Sequence, residues 1–294
     1  MSLEPSAIES VSGKVASHFT LNARGRLLLI DEPKVLGILN VTPDSFFAGS
    51  RVQQQSDLLR RAGAMLQEGA WMLDIGGQST RPGSERVDAD AEAARILPAI
   101  EAIRKEFPDA LLSIDTFYSS VARAAVEAGA VLVNDVSAGT IDPAMIPTVA
   151  ELRVPYVLMH RKGDPQTMQS LAEYGDVVTE VFDDIARRKT LLHAAGIHDI
   201  LIDPGFGFAK TAAHNFRLLQ QLSFFHQLGS PLLVGLSRKA TVYRTLGVTA
   251  EEALNGSTVL HTIALQQGAQ LLRVHDVKEA REAILLYNEV KAAR

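Results

Sequence analysis

The sequence contains no cysteine. Disulfide bonds, a thiol nucleophile and metal sites with cysteine ligands are therefore excluded. No apolar run is long enough to cross a bilayer, and residues 1–20 lack the basic start and apolar stretch of a signal peptide. The net charge of −5 is mild and Lys and Arg are not clustered, which gives no indication of binding to nucleic acid or membrane. We therefore expect a soluble, cytoplasmic protein that binds neither.

Apolar side chains are plentiful, at 47% of the 294 residues, and suffice for one large core. Eight short apolar runs alternate with longer amphipathic stretches. These runs are residues 35–39, 71–75, 111–114, 131–133, 155–159, 200–202, 231–234 and 270–274. The alternation indicates parallel strands joined by right-handed crossovers. Eight units favour an α/β fold of the closed (β/α)8 type, a TIM barrel, over the alternative of an open doubly wound sheet.

Between the runs, amphipathic spacing predicts helices over residues 56–68, 88–107, 118–128, 174–195, 251–267 and 277–291. Residues 19–30 carry an Asn-Ala-Arg-Gly turn between apolar residues, which predicts an N-terminal hairpin that closes the base of the barrel. We expect an N-terminal extension over residues 1–20, whose opening Met-Ser-Leu is a candidate expression remnant, and one barrel domain over residues 21–294.

Polar residues stand at the ends of most apolar runs, where a barrel of this kind builds its active site. They are Asn40, Asp74, Asp115, Asn134, Asp135, Asp203, Arg273 and His275. Each Asp alone is as well explained as the cap of the next helix. Together they predict one pocket rich in carboxylate and amide groups. Such a pocket suits a heterocycle that presents adjacent N–H donors.

Anion-binding features occur in three loops. Asn40 opens the turn Asn-Val-Thr-Pro-Asp-Ser-Phe, Thr80 lies in a Gly-rich loop, and Ser-Arg-Lys from Ser237 follows the seventh strand where a helix can begin. Exposed N–H groups at a helix start favour an anion, and loops after strands seven and eight of such barrels often hold phosphate. Each loop alone is explained by turn or cap formation, but the combination favours binding.

Seven motifs, in chain order, resemble the dihydropteroate synthase family of pterin-binding enzymes. They are Gly-Ile-Leu-Asn-Val-Thr-Pro-Asp-Ser-Phe from Gly37, Asp-Ile-Gly-Gly-Gln-Ser-Thr-Arg-Pro-Gly-Ser from Asp74, Ser-Ile-Asp-Thr from Ser113, Asn-Asp-Val from Asn134, Asp-Pro-Gly-Phe-Gly-Phe from Asp203, Ser-Arg-Lys from Ser237 and Arg-Val-His-Asp from Arg273. The resemblance runs from about residue 34 to the C-terminus.

This resemblance implies a transferase of folate biosynthesis and a sulfonamide target. Such an enzyme condenses 6-hydroxymethyl-7,8-dihydropterin pyrophosphate with p-aminobenzoate to give 7,8-dihydropteroate and pyrophosphate on a TIM barrel, with Mg²⁺. It also implies a homodimer formed through late barrel helices, with which the apolar stretch at residues 258–265 is compatible.

Residue roles follow from the matched motifs. The implied pterin pocket is Asp115, Asn134, Met159, Asp203, Phe208, Lys239 and Arg273. The implied pyrophosphate site is Asn40, Thr80, Arg273 and His275, with Mg²⁺ on Asn40. The implied p-aminobenzoate site is Thr42, Phe46, Arg81, Pro82, Ser237, Lys239 and Ala240. Catalysis falls to Asp115, Lys239, Arg273 and Asp44, and the loops at residues 42–51 and 76–84 are expected to close over the site.

Three places depart from the family pattern. Ala240 replaces a hydroxyl residue, which leaves the affinity for p-aminobenzoate open, Gln78 replaces a Glu, and Arg161-Lys162 stand where many members have a Met. One rival function is methyl transfer from a folate on the same pterin pocket. The Thr-Pro-Asp-Ser-Phe and Ser-Thr-Arg-Pro-Gly loops argue against it, because a methyltransferase is not expected to need them. A second rival is a non-catalytic paralogue, against which the retained Asn40, Lys239 and His275 argue.

Overall fold

The structure is a computed structural model and describes residues 18–41, 51–78, 86–163, 168 and 170–293. Its first elements are the antiparallel strands β1 (Phe19–Ala23) and β2 (Arg26–Ile30), which confirm the predicted hairpin. The turn needs a left-handed backbone, which Gly25 supplies at φ 90°. Asn22 Oδ1 stabilises the turn by accepting the Gly25 N–H at 2.7 Å.

Eight parallel strands form the centre of the fold. They are β3 (Lys34–Asn40), β4 (Met72–Gly76), β5 (Leu112–Asp115), β6 (Leu132–Asp135), β7 (Tyr156–Met159), β8 (Ile200–Asp203), β9 (Leu233–Val234) and β10 (Leu271–Val274). Their order is β8-β7-β6-β5-β4-β3-β10-β9. A parallel bridge between Ile202 and Leu232 joins the two ends of this sheet. The sheet therefore comes round on itself as a barrel, and the alternative of an open sheet is wrong.

Helices follow the strands on the outside. They are α1 (Arg51–Gln67), α2 (Ala89–Glu106), α3 (Ser119–Ala128), α4 (Met145–Leu152), α5 (Val177–Ala194), α6 (Ala212–Gln220), α7 (Ala240–Leu246), α8 (Leu254–Gln266) and α9 (Val277–Ala292), with a 3₁₀ helix at Leu222–Leu228. Helices α4, α6 and α7 were not predicted, because eight, nine and seven residues give little periodicity. Among the described residues, no helix combines the length and apolarity that a bilayer crossing requires.

The core has two parts, because successive strand residues point to opposite faces. Outward residues such as Leu73 pack against the helices in one large cluster. Inward residues such as Met72 and Leu201 form a second cluster, which includes Leu28 of the hairpin. The hairpin therefore covers the base of the barrel, as predicted. The division of the chain at residue 20 stays a prediction.

Candidate active site

The inward face of the barrel changes from apolar to polar at its carboxyl end. In four strands, an inward-facing apolar residue is followed two positions later by an inward-facing polar residue. The pairs, lower residue first, are Met72 and Asp74, Leu132 and Asn134, Leu201 and Asp203, and Leu271 and Arg273. Because parallel strands end at the same edge of a sheet, the four polar side chains meet above the apolar floor. The predicted convergence of polar strand ends is confirmed for these residues.

Arg273 is the centre of the polar network. Its Nε lies 2.6 Å from Asp74 Oδ2 and its Nη2 lies 2.5 Å from Asp115 Oδ2. Asp74 is fully buried and also accepts hydrogen bonds from Asn134 Nδ2, at 2.9 Å, and from the Ser113 hydroxyl. The sequence places Asp74 among the polar strand ends of the pocket but assigns it no individual role. Its signal was the alternation that places it two residues beyond inward-facing Met72.

The charged groups of this network shift one another's pKa values. Burial raises the pKa of Asp115; Arg273 opposes this rise, and Asp74 adds to it. For Arg273 burial disfavours the cation, but Asp74 and Asp115 outweigh burial and raise its pKa. Arg273 is therefore a permanent cation, and the negative charge of Asp115 depends on it.

A second charged pair stands across the barrel mouth. Asp203 Oδ1 accepts the Gly205 N–H at 2.7 Å. Lys239 Nζ donates to Phe206 O at 2.5 Å and lies 4.7 Å from the centre of the Phe208 ring. Burial lowers the pKa of Lys239 to about 8, against the opposing effect of Asp203. Lys239 is therefore a cation held close to a carboxylate and an aromatic face.

An apolar wall adjoins these charges. Met159 is buried in a small cluster with Phe117 and Val136, and Phe208 packs against it. The candidate site thus combines carboxylates, an amide, two cations and an apolar side. This combination suits a flat, hydrogen-bonding heterocycle.

Two glycines at strand ends keep space between the polar groups. A Cβ on Gly76 would lie 3.4 Å from Asn40 Oδ1. A Cβ on Gly235 would lie 3.7 Å from Lys239 Nζ and 4.0 Å from Asp203 Oδ2. A Cβ at either position would touch these polar groups, so glycine leaves them uncovered on that side.

The loops after β9 and β10 are tied together at the rim. The backbone N–H of His275 donates to Ser237 Oγ at 3.1 Å, and Ser237 Oγ lies 3.1 Å from His275 Nδ1. Ser237 is buried and His275 is exposed. Lys239 takes the N-cap position of α7, and Ala240 is its first residue. The predicted pyrophosphate residue His275 and the predicted p-aminobenzoate residues Ser237 and Ala240 are therefore neighbours of Lys239.

Arg238 has a structural role that the sequence did not indicate. Its backbone is left-handed, at φ 53°, between Ser237 and Lys239. Its Nε and Nη2 bond the two carboxylate oxygens of Asp276 at 2.9 and 2.8 Å, and its Nη1 donates to Glu251 O at 2.6 Å. Arg238 therefore clamps the loop after β9 to the loop after β10. The Asp after His275 in Arg-Val-His-Asp was the available signal.

Asp135 adjoins Asn134 at the end of β6, but its hydrogen bonds are made outside the Arg273 network, which it affects only through its charge, by raising the pKa of Asp115. It accepts the N–H groups of Ser137 and Gly139, each at 2.7 Å, and the Tyr156 hydroxyl at 2.8 Å. The expectation that Asn134 and Asp135 share one pocket is therefore wrong for Asp135. Alternation along the strand turns it to the other face.

We expect Asp135→Asn to destabilise the fold and to leave the site intact. An amide has one acceptor oxygen where the carboxylate uses two, so the unfolding free energy should fall by about 1–3 kcal/mol. Urea unfolding measures this loss, and substrate affinities measured on the folded variant should stay at wild-type values. A variant of normal stability with impaired pterin affinity would place Asp135 in the site instead.

Gln78, one of the departures from the family pattern, lies at the root of the loop after β4. Its Nε2 donates to Glu92 Oε2 at 2.9 Å, and Arg95 Nη1 donates to the neighbouring Gly77 O at 2.9 Å. Glu92 is fully buried on α2. Burial raises the pKa of Glu92 to about 8. The amide of Gln78 therefore pairs with a carboxyl group that is largely protonated at neutral pH.

A pH dependence of stability follows from Glu92. Its pKa is about 8 in the folded protein and about 4.5 in the unfolded chain, so the unfolded state loses the proton first. This contribution to stability is complete below pH 4.5 and is lost as the pH rises to about 8. Glu92→Gln should remove that loss, so its stability relative to wild type should rise by up to about 1.4 kcal/mol per pH unit in this window. Urea unfolding at several pH values tests this, and parallel profiles would contradict it.

Several predicted site residues lie outside the described residues: Thr42, Asp44, Phe46, Thr80, Arg81 and Pro82. The loops expected to close over the site fall largely in the same segments. Of the other residues, Asp115, Asn134, Asp203, Lys239 and Arg273 converge at the barrel mouth, Met159 and Phe208 form its apolar wall, and Asn40, Ser237, Ala240 and His275 lie at the same strand ends. Their individual roles stay predictions.

Fold and site together define a (β/α)8-barrel enzyme whose strand ends form a polar pocket for a small heterocyclic substrate. A family model described as pterin binding enzyme matches residues 36–275, and the chain belongs to that family.

Relatives and solved structures agree with this assignment. Dihydropteroate synthase of Escherichia coli strain K12 is 40% identical over 276 residues, covering 93% of this chain and 97% of the relative. Dihydropteroate synthase of Xanthomonas albilineans with 4-aminobenzoic acid superposes with a TM-score of 0.86 at 42% identity, over 93% of this chain and 98% of that one. The same enzyme in complex with 7,8-dihydropteroate gives a TM-score of 0.83 at 40% identity, over 93% and 99%.

Proposed function

We propose that this chain is a folate-pathway transferase that condenses 6-hydroxymethyl-7,8-dihydropterin pyrophosphate with p-aminobenzoate. The products are 7,8-dihydropteroate and pyrophosphate, the reaction of a dihydropteroate synthase. One observation carries the proposal: Arg273 joins Asp74 to Asp115 at the rim of a barrel that matches structures holding p-aminobenzoate and dihydropteroate.

Recognition of the pterin follows from the donors and acceptors at the mouth. The ring presents adjacent N–H groups, and Asp115 and Asp203 present carboxylate oxygens that can accept them in pairs. Asn134 supplies a carbonyl oxygen, while its amide nitrogen is occupied by Asp74. Met159 and Phe208 cover the apolar face of the ring. Within the described residues Arg273 uses Nε and Nη2 on the carboxylates, which leaves Nη1 for a substrate.

The chemistry breaks one bond and forms another at the exocyclic methylene carbon. Pyrophosphate leaves with the electrons of the C–O bond, and positive charge develops on the conjugated pterin. The carboxylate of Asp115 stabilises that positive charge, and Arg273 and His275 stabilise the departing anion. The amine nitrogen of p-aminobenzoate then forms the C–N bond with its lone pair and gives up one proton, which the released pyrophosphate can accept. No covalent protein nucleophile takes part.

Whether the site suits Mg²⁺ depends on the oxygen ligands that the described residues provide. Asn40 offers an amide oxygen, which faces Gly76 without a side chain against it: a Cβ on Gly76 would lie 3.4 Å from that oxygen. The described residues contain no cluster of three or more His, Cys, Asp or Glu that would hold a metal alone. This fits Mg²⁺, which commonly takes one or two protein oxygens and fills its shell with phosphate oxygens and water. When bound, Mg²⁺ supplies charge that stabilises the leaving pyrophosphate.

The p-aminobenzoate carboxylate is proposed to bind where α7 begins. Ala240 lacks the hydroxyl found there in many family members, so its backbone N–H is the donor that remains. Lys239 at the N-cap brings a positive charge to the same place. Two further proposals are a homodimer and a cytoplasmic location. The homodimer rests on the family resemblance, and exposed Val259 on α8 and Leu286 on α9 are compatible with it. The cytoplasmic location rests on the sequence features described above.

One assay separates the proposed function from its rivals. The purified protein is incubated with the pterin pyrophosphate, p-aminobenzoate and Mg²⁺, and dihydropteroate and pyrophosphate are both quantified. We expect the two products in equal amounts and only when both substrates are present. Pterin binding without product would favour the non-catalytic paralogue. Methyl transfer from a methylated folate to a corrinoid protein would favour the methyltransferase.

A further inference from the structure

Lys210 is a buried lysine that the proposed reaction does not use. It stands at the end of the loop that follows β8, and only 3% of it is exposed. Its Nζ lies 2.9 Å from His160 Nδ1, 2.9 Å from Gly205 O and 3.0 Å from Phe208 O. A lysine so deeply buried needs its charge satisfied by the protein.

The three neighbours match the three N–H donors of an ammonium group. Burial lowers the pKa of His160 to about 2, so the imidazole is neutral and its Nδ1 can accept. Burial lowers the pKa of Lys210 to about 7, while the charge of Asp203 opposes this. The carbonyls of Gly205 and Phe208 accept from the amine in either charge state, and His160 Nδ1 completes the set, as an acceptor toward the ammonium or as a donor toward the neutral amine.

The loop that Lys210 holds is the one that shapes the pterin site. Gly205, whose N–H bonds Asp203, has φ 73°, and a Cβ there would meet His160 O at 1.9 Å. Lys210 therefore fixes two carbonyls of a loop pressed against the end of β7. Lys239 takes the carbonyl between them, that of Phe206. The two lysines thus hold the same loop at the carbonyls of Gly205, Phe206 and Phe208.

We propose that Lys210 is a positioning residue for the pterin site, acting through the loop at residues 204–208 on the Asp203 carboxylate and the Phe208 ring. Lys210 touches neither substrate. It sets the place of one carboxylate that pairs with the pterin and of one ring that covers it. This inference rests on the proposed function, because it concerns the pterin site of that reaction.

The test measures the KM for each of the two substrates separately in every variant. We expect Lys210→Met to raise the KM for the pterin pyrophosphate by about 10-fold or more and to leave the KM for p-aminobenzoate within twofold. Lys210→Arg, which keeps the charge and donors, should recover part of the loss. The matched control is Lys189→Met: Lys189 is a partly buried lysine of α5 that donates to Leu228 O rather than to the loop at residues 204–208, and its loss should change neither constant.

A second variant keeps the proposal testable if Lys210→Met does not fold. His160→Leu removes one of the three acceptors and keeps Lys210; we expect a smaller rise, about threefold or more, again in the pterin KM alone. Equal changes in both constants, or no change, would overturn the proposal. A wild-type protein that forms no dihydropteroate would instead refute the proposed function. Calorimetric binding of 6-hydroxymethylpterin to wild type and variants would then decide the role of Lys210, with weaker binding expected in the variants.

Discussion

Arg273→Met is expected to lower the unfolding free energy by about 3–5 kcal/mol and to abolish detectable turnover, because removing one partner of a buried ion pair leaves uncompensated charge. Arg273 lies between Asp74, which is fully buried, and Asp115, which is almost so. Without the guanidinium both carboxylates remain in a site with little water. Urea unfolding and steady-state turnover measure the two effects.

The matched control is a surface ion pair of the same length. Arg123 Nη2 lies 2.6 Å from Glu151 Oε2, but the two side chains are 37% and 67% exposed. Because water screens such a pair, Arg123→Met should leave stability and turnover at wild-type values within error. Arg273→Lys keeps the charge but cannot span two carboxylates with a planar fork, so it should fall between wild type and Arg273→Met. Similar stability losses in Arg123→Met and Arg273→Met would contradict the network.

Asp115→Asn should reduce kcat/KM for the pterin pyrophosphate by at least about 10²-fold, since a hydrogen bond to a charged group contributes about 1.5–3 kcal/mol and two are affected. The amide keeps the shape of the side chain and one oxygen for Arg273. Its N–H₂ group, however, meets the N–H groups of the pterin. The fold should remain intact. Steady-state kinetics and thermal unfolding on the same preparation give both results.

Asp135→Asn is the control for this substitution, because both variants exchange a buried Asp for Asn at the end of neighbouring strands. The expected results are opposite. Asp115→Asn loses activity and keeps its stability, while Asp135→Asn loses stability and keeps its activity. Full activity of Asp115→Asn would refute the assignment of Asp115 to the pterin.

The sequence predicted much of this architecture because barrel strands are buried on both faces and therefore form continuous apolar runs. All eight runs correspond to strands, and the hairpin followed from the Asn-Ala-Arg-Gly turn. An apolar run does not indicate to which face of the sheet each side chain points. Asn134 and Asp135 are adjacent and both end a strand, yet only Asn134 enters the site. The two-residue step from inward Leu132 carried that information.

The contacts between residues that are distant in the chain were not predicted from the sequence, for a different reason. Arg273 and Asp74 are 199 positions apart, Lys210 and His160 are 50 apart, and Arg238 and Asp276 are 38 apart. Composition and periodicity do not specify which charge meets which. The motifs brought Arg273 into the site by family resemblance, but Asp74 received no role, and Lys210 and Arg238 were not recognised as organising residues.

A crystal structure of the protein with 6-hydroxymethylpterin tests most directly whether the polar strand ends form one pterin pocket. We predict the ring at the barrel mouth, with its N–H groups on the carboxylates of Asp115 and Asp203 and its face against Met159 and Phe208. A ring bound elsewhere, or a mouth in which these four side chains do not contact it, would contradict the account.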